Sequence, residues 1–171
     1  MKIKINEELL LREWKLSDAE RLVALANNEN LAKTLLDSFP QPYTMENAVD
    51  WIEHCQNEKK SLLLAIEYQG NFVGGIGAHF KEDIQRYNVE LGYWVGEPYW
   101  GKGIITHSIN EFSEYLFKNH KINRIYGEVF EQNVGSAIAL EKCGFEKEAT
   151  LKKAAYKNGY FIDLFIYSKL K

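Results

Sequence analysis

At 171 residues, 46% hydrophobic and 13% aromatic, the chain suits one domain over residues 1–171 with enough apolar material to bury a core, which excludes a disordered protein. Its 21 basic and 24 acidic residues give a formal charge of -3 with no long block of one sign. No electrostatic footprint for nucleic acid follows, and acidic substrates gain no general attraction.

No stretch approaches transmembrane length, and charges interrupt the first residues where a signal peptide would be apolar, so neither membrane insertion nor export is expected. Cys55 and Cys143 belong to no CxxC motif, and buried free thiols in a reducing cytoplasm are expected. His54, His79, His107 and His120 are scattered without metal-type spacing, so no metal is expected.

In chain order, residues 2–5 and 9–14 read as extended, and Ser17-Asp18-Ala19-Glu20 is a capping box that predicts a helix start. Ala19, Leu22, Val23 and Ala26 follow at i, i+3, i+4 and i+7, one apolar face of that helix. Residues 31–43 should form a surface loop, because Pro40 and Pro42 bias their predecessors against helix. Thr44 is expected to cap a second helix that buries Ala48, Val49, Ile52 and Cys55.

Residues 61–68 and 72–79 then read as a hairpin around Gln69-Gly70-Asn71. Gly74, Gly75 and Gly77 in its second strand point to a bulge or to close approach, whether by another backbone, a tightly packed helix or a ligand. Residues 88–95 form a strand with Val89, Leu91, Tyr93 and Val95 on one face and Asn88, Glu90, Gly92 and Trp94 on the other. After a turn over residues 96–103, a helix from Ile104 buries Ile105, Ile109, Phe112 and Leu116. Residues 124–130 read as a strand. Asn133 caps a short helix that Gly144 stops in left-handed conformation. The final pair, about 145–156 and 160–170, surrounds Asn158-Gly159, a type I′ turn dipeptide.

The turn before Ile104 carries the first chemical signal. Gly101-Lys102-Gly103 opens a helix with no Ser, Thr, Asp or Asn immediately ahead of it to cap the N-H groups of its first turn. Bare amides at the positive end of a helix dipole suit a phosphate or pyrophosphate. Gly96, Gly101 and Lys102 fall at P-loop spacing, but Gly103 stands where a Ser or Thr must ligate magnesium. A dinucleotide fingerprint fails at Thr106, which replaces its third glycine.

Four ordered motifs, Gly92 to Val95, Trp100 to Thr106, Asn133 to Ser136 and Leu140 to Phe145, together resemble the acetyl-CoA-binding core of the GNAT superfamily of N-acetyltransferases. Within it they are similar to the branch typified by the ribosomal-protein N-terminal acetyltransferases RimJ and RimL, over nearly the whole chain. The resemblance implies an α+β GNAT fold, a mixed and mostly antiparallel sheet flanked by helices, with a central strand pair that splays apart. It implies that the backbone at Tyr93, Trp94 and Val95 pairs with the pantetheine arm of acetyl-CoA. Trp100, Gly101, Lys102, Gly103, Ile104 and Thr106 would surround the pyrophosphate, and Asn133 and Ser136 would lie near the sulfur. Pro98 stands where the family usually has Gln or Arg. Lys102 either adds a charge-assisted contact or is an ordinary solvated lysine.

Direct acetyl transfer needs a neutral amine, an acceptor for its proton, and a proton for the leaving thiolate. Glu90 is the candidate base, directly or through a water, and is equally readable as a structural carboxylate. Leu140 occupies the position where many superfamily members have a tyrosine acid, so the thiolate proton must come from Ser136, another group or solvent, and Ser136 is the candidate. The acceptor groove is expected where the two N-terminal helices and the loop from Phe39 to Tyr43 meet the last hairpin. Phe39, Tyr43, Tyr156, Lys157 and Asp163 are its candidates, Asp163 binding an ammonium or bonding a neighbour. The expected activity is acetyl transfer from acetyl-CoA to a protein N-terminal α-amine or a small-molecule amine, without a metal or a covalent acyl-enzyme. A non-catalytic acyl-CoA-binding module is the other class, and exposed strand edges leave room for a homodimer.

Overall fold

In the computed structural model, which describes residues 1–171, the chain runs β1 (Lys2–Lys4), β2 (Leu9–Arg12), α1 (Ala19–Ala26), α2 (Glu29–Ala32), α3 (Met45–Asn57), β3 (Ser61–Tyr68), β4 (Asn71–Phe80) and β5 (Asn88–Val95). It continues through α4 (Ile104–Asn119), β6 (Arg124–Phe130), α5 (Val134–Lys142), β7 (Glu146–Lys157) and β8 (Tyr160–Leu170). The strands make one sheet in the order β1-β2-β3-β4-β5-β6-β8-β7. Every neighbouring pair is antiparallel except β5 and β6. Both expected tight hairpins form, with Gln69 and Gly70, then Asn158 and Gly159, at the positive φ that a type I′ turn requires.

Strand alternation divides the core between the two faces of the sheet. Val89, Leu91 and Val95 of β5 join Ile109, Phe112 and Leu116 of α4 and Leu140 of α5 in the larger cluster. On the other face Ala65 and Phe72 meet Leu22 of α1, Ala48 and Ile52 of α3, and Trp14. Phe112 is fully buried, and its truncation to alanine should cost about 3–5 kcal/mol.

Three local expectations are corrected. The capping box at Ser17 does not form: Leu16–Asp18 is a 3-10 turn and α1 starts at Ala19. Asp18 is drawn instead into a buried ion pair, accepting from Arg12 at 2.8 and 2.7 Å and from the Lys15 N-H at 2.9 Å. Charge-assisted bonds in a dry site outweigh a hydroxyl cap. The loop expected from Leu31 begins later, because the Asn28 side chain accepts from the Leu31 N-H and starts α2. Val49, Cys55 and Ile105 are half-buried rather than buried.

The close approach expected in β4 is made by another strand. A Cβ at Gly74 would lie 2.2 Å from the Trp94 carbonyl oxygen of β5. One further feature positions the site. The β5–β6 register covers only Asn88 with Arg124, Val89 with Ile125 and Glu90 with Tyr126. From Leu91 onward β5 pairs with β4 alone, and from Gly127 onward β6 pairs with β8 alone. This is the expected splay, and it leaves one backbone edge of each strand facing a gap.

Candidate active site

A cavity of about 420 Å³ passes through that gap. Its walls include Glu90, Gly92, Trp94 and His79 from the α1/α3 face, and Leu91, Tyr93, Ser136 and Leu140 from the α4/α5 face. Strand alternation at the splay thus brings groups from both sides of the sheet into one space.

On the α4/α5 side the Tyr93 hydroxyl lies 2.7 Å from Ser136 Oγ. Burial pushes the Tyr93 hydroxyl well above the usual tyrosine range, so it remains protonated. Asn133 caps α5, its side chain accepting from the Ser136 N-H at 3.3 Å. That cap fixes the turn on which Ser136 faces the cavity.

On the opposite side Glu90 is not free. Its carboxylate accepts from Lys81 Nζ at 2.5 Å and from the Tyr126 hydroxyl at 3.3 Å. The hydrogen bond to Glu90 in turn holds the Lys81 ammonium above the ordinary lysine range. His79 sits directly across from Glu90 in the β4–β5 register. Its Nδ1 is 3.1 Å from Ser61 Oγ, and its Nε2 lies over Gly77 and Gly92.

At the end of β5 the amide cradle takes shape. Gly101 and Gly103 adopt φ of 73° and 75°, which L side chains rarely tolerate. Gly103 starts α4 with no capping side chain. The N-H groups of residues 101–106 have no acceptor within the chain. The expected bare helix start is therefore present, and its donor set fits a pyrophosphate. Ile104 is buried and offers only its backbone, while the Thr106 carbonyl accepts from Cys143 Sγ at 3.2 Å. The Trp100 indole N-H is given to the Val95 carbonyl at 2.7 Å, a contact that ties the cradle to the end of β5. Lys102 Nζ rests 5.2 Å from the Tyr99 ring centroid.

The acceptor end is only partly as expected. Phe39 and Tyr43 line the cavity, their rings 5.0 Å apart, with Phe39 edge-on to Trp94 at 5.9 Å. Tyr156 does not reach it: that ring is 61% exposed and packs edge-on against Phe161. Asp163 is also absent from the walls. It accepts from the Lys153 N-H at 2.8 Å and pairs with Lys152 at 3.1 Å, bonds that lower its pKa. Its partners sit where β7 slips register between Leu151 and Ala155, so Asp163 staples a bulge, the neighbour-bonding alternative. Lys157 is buried and grips Asp37 of the loop at 2.6 Å, holding the loop rather than lining the site.

Sequence reasoning missed His79, Glu128, Trp14 and Trp51, all on the cavity wall. The signal for His79 was its place at the end of a predicted strand whose partner carries Glu90. Trp51 shows no such signal, because its position depends on how α3 crosses the sheet.

Residues 8–146 match the family model described as "Acetyltransferase (GNAT) domain". The chain is 30% identical over 174 residues to "Putative ribosomal N-acetyltransferase YdaF" of Bacillus subtilis (strain 168), covering 98% of this chain and 94% of that protein. Among solved structures, the Microcin C7 self immunity acetyltransferase MccE in complex with acetyl-CoA and AMP superposes with a TM-score of 0.87 at 31% identity, over 99% of this chain and 96% of that one. RimL, a ribosomal L7/L12 alpha-N-protein acetyltransferase in complex with coenzyme A, gives a TM-score of 0.87 at 22% identity over 99% and 98%.

Proposed function

The chain belongs to the GNAT acetyltransferase family and is an acetyl-CoA-dependent N-acetyltransferase, and from that premise we propose that it transfers acetyl directly to a primary amine at the β5–β6 splay. The amine is a protein N-terminal α-amino group or that of a small molecule. The observation that carries the proposal is that Ser136 and Glu90 reach one cavity from opposite faces of the sheet, on either side of a strand, β5, whose end leads into a row of unpaired amides. The names of YdaF and RimL support the protein N-terminal acceptor.

Acetyl-CoA supplies an activated thioester. The amides of residues 101–106 hold its pyrophosphate, and the free edge of β5 from Leu91 to Val95 lines its pantetheine arm. Ser136 passes its hydroxyl proton to the leaving thiolate as it takes one from a cavity water, with Tyr93 orienting the serine. Glu90 takes the amine proton directly or through a water at its Oε1, since Lys81 and Tyr126 both bond its Oε2. A second reading of the base rests on His79. Its Nδ1 is held by Ser61, and its Nε2, free of protein partners, faces the same space.

The module reading, cofactor binding without transfer, is disfavoured by the presence of acid–base groups on both faces of the sheet around one cavity. Thiol release from acetyl-CoA over a panel of amines tests the proposal. Amine-dependent release supports it, and acetyl-CoA binding without release supports the module. We further propose a cytoplasmic location, in keeping with the free thiols of Cys55 and Cys143, and a homodimer, to be read by sedimentation velocity.

A further inference from the structure

The acceptor end of the cavity is built mainly from rings and aliphatic chains, with Thr34 and Ser38 the polar side chains among them. Trp14, Leu36, Phe39, Tyr43, Trp51 and Trp94 line it, supplied by the segment before α1, the 33–44 loop, α3 and β5. The carboxylate and imidazole side chains on the whole wall are Glu90, Glu128 and His79, and all three lie on β4, β5 and β6 at the reacting end. Asp37, the acid of the loop, is turned aside to Lys157. No lysine or arginine lines the cavity.

This distribution selects the acceptor. A second ammonium between the rings of the acceptor end would meet no carboxylate there, and a free carboxylate would meet no cation, so either would be desolvated without compensation. An apolar group gains from burial against the rings. Resting on the acetyltransferase reading above, we propose that the acceptor is a primary amine whose attached group is bulky, apolar or aromatic, and carries no further charge. The amine sits at the β4–β6 end and the apolar group between Phe39, Trp51 and Trp94. Two sources share this chemistry: an arylalkylamine, and the N-terminal residue of a peptide with a large apolar side chain.

The test is the initial rate of thiol release from acetyl-CoA with phenylalanine amide, serine amide, free phenylalanine, 2-phenylethylamine, spermidine and a Phe-initiated tripeptide amide. Acetyl-CoA binding is followed separately by calorimetry. The proposal expects kcat/KM for phenylalanine amide to exceed that for serine amide and for free phenylalanine by at least tenfold, and spermidine to be poorer still. Preference between 2-phenylethylamine and the tripeptide identifies the source, and turnover of either in this order supports the proposal. The Leu36→Asp variant alters a side chain that is 67% exposed and so should fold. It is expected to reduce the phenylalanine–serine preference at least threefold while leaving acetyl-CoA affinity unchanged. Equal or better turnover of serine amide or spermidine overturns the inference and leaves the transferase reading standing. Binding of acetyl-CoA with no release for any amine overturns both.

Discussion

Tyr93 of β5 and Ser136 of α5 share a 2.7 Å hydroxyl–hydroxyl hydrogen bond across the splay. Because burial keeps Tyr93 protonated, its hydroxyl is available as the donor, and the serine proton is then left for the cavity. Ser136→Ala should lower kcat about 100-fold, the scale of a lost general acid. Tyr93→Phe should lower kcat about three- to tenfold, the loss of one net hydrogen bond. In the Ser136→Ala background Tyr93→Phe should cost nothing more, because its effect passes through the serine. Additive losses in that double-mutant cycle would give Tyr93 a role of its own.

Glu90 and His79 can be separated by kinetics. Glu90→Gln preserves shape and removes the charge, and should reduce kcat/KM for the amine about 100-fold if Glu90 takes the proton. His79→Gln should then stay within about threefold of the parent. The reverse ranking assigns the proton to His79 and leaves Glu90 as the partner of Lys81.

At the cradle, backbone amides outnumber side-chain donors. Lys102→Ala should weaken acetyl-CoA binding only a few-fold, because an exposed lysine contributes about 0–1 kcal/mol. Isothermal calorimetry at two salt concentrations checks this. A loss of 100-fold or more would move the main contact from the amides to the lysine.

The Arg12 guanidinium is buried between Asp18 and Glu67. Asp18→Ala leaves that cation short of a partner and should destabilise the fold by about 3–5 kcal/mol. Urea denaturation would measure it, and a loss below about 1 kcal/mol would mean that Glu67 alone satisfies the arginine.

Burial pushes the Tyr43 hydroxyl up to about 12, against about 10 in an unfolded chain. The folded state therefore holds this proton more tightly. The stability linked to it is complete below about pH 10 and is lost as pH rises from about 10 towards 12. Tyr43→Phe cannot ionise, so its melting temperature should fall less steeply than the parent's over that window. Parallel curves would show that Tyr43 does not titrate with unfolding.

Much of this was readable in the chain because its signals were local. The bounds of β3, β5 and β6 follow from short apolar alternation, the Thr44 cap from a side chain three residues from its partner, and the Asn158-Gly159 turn from the φ those residues tolerate. The bare start of α4 was likewise visible as a missing cap. What sequence reading missed depends on distant partners. The Ser17 box lost to Arg12 because Glu67 and the packed sheet around them create a dry site. Tyr156 misses the groove because strand alternation turns it outward against Phe161, while its neighbour Lys157 turns in to Asp37 of the loop. Glu90 was recognised by its strand face, but its tie to Lys81 required the return of β4 alongside β5.

The short β5–β6 ladder also makes this fold a gauge of its surroundings. Three residue pairs hold the two halves of the sheet together at that seam, and the remaining rungs are available to a guest with alternating amides of its own. Such a guest completes the seam only in the native chain, so it raises the melting point as its concentration climbs past its dissociation constant. The resistance of this protein to heat, proteolysis or amide exchange near Leu91 to Val95 would then follow how much acyl-CoA is present, whether or not an amine is there to receive the acetyl group.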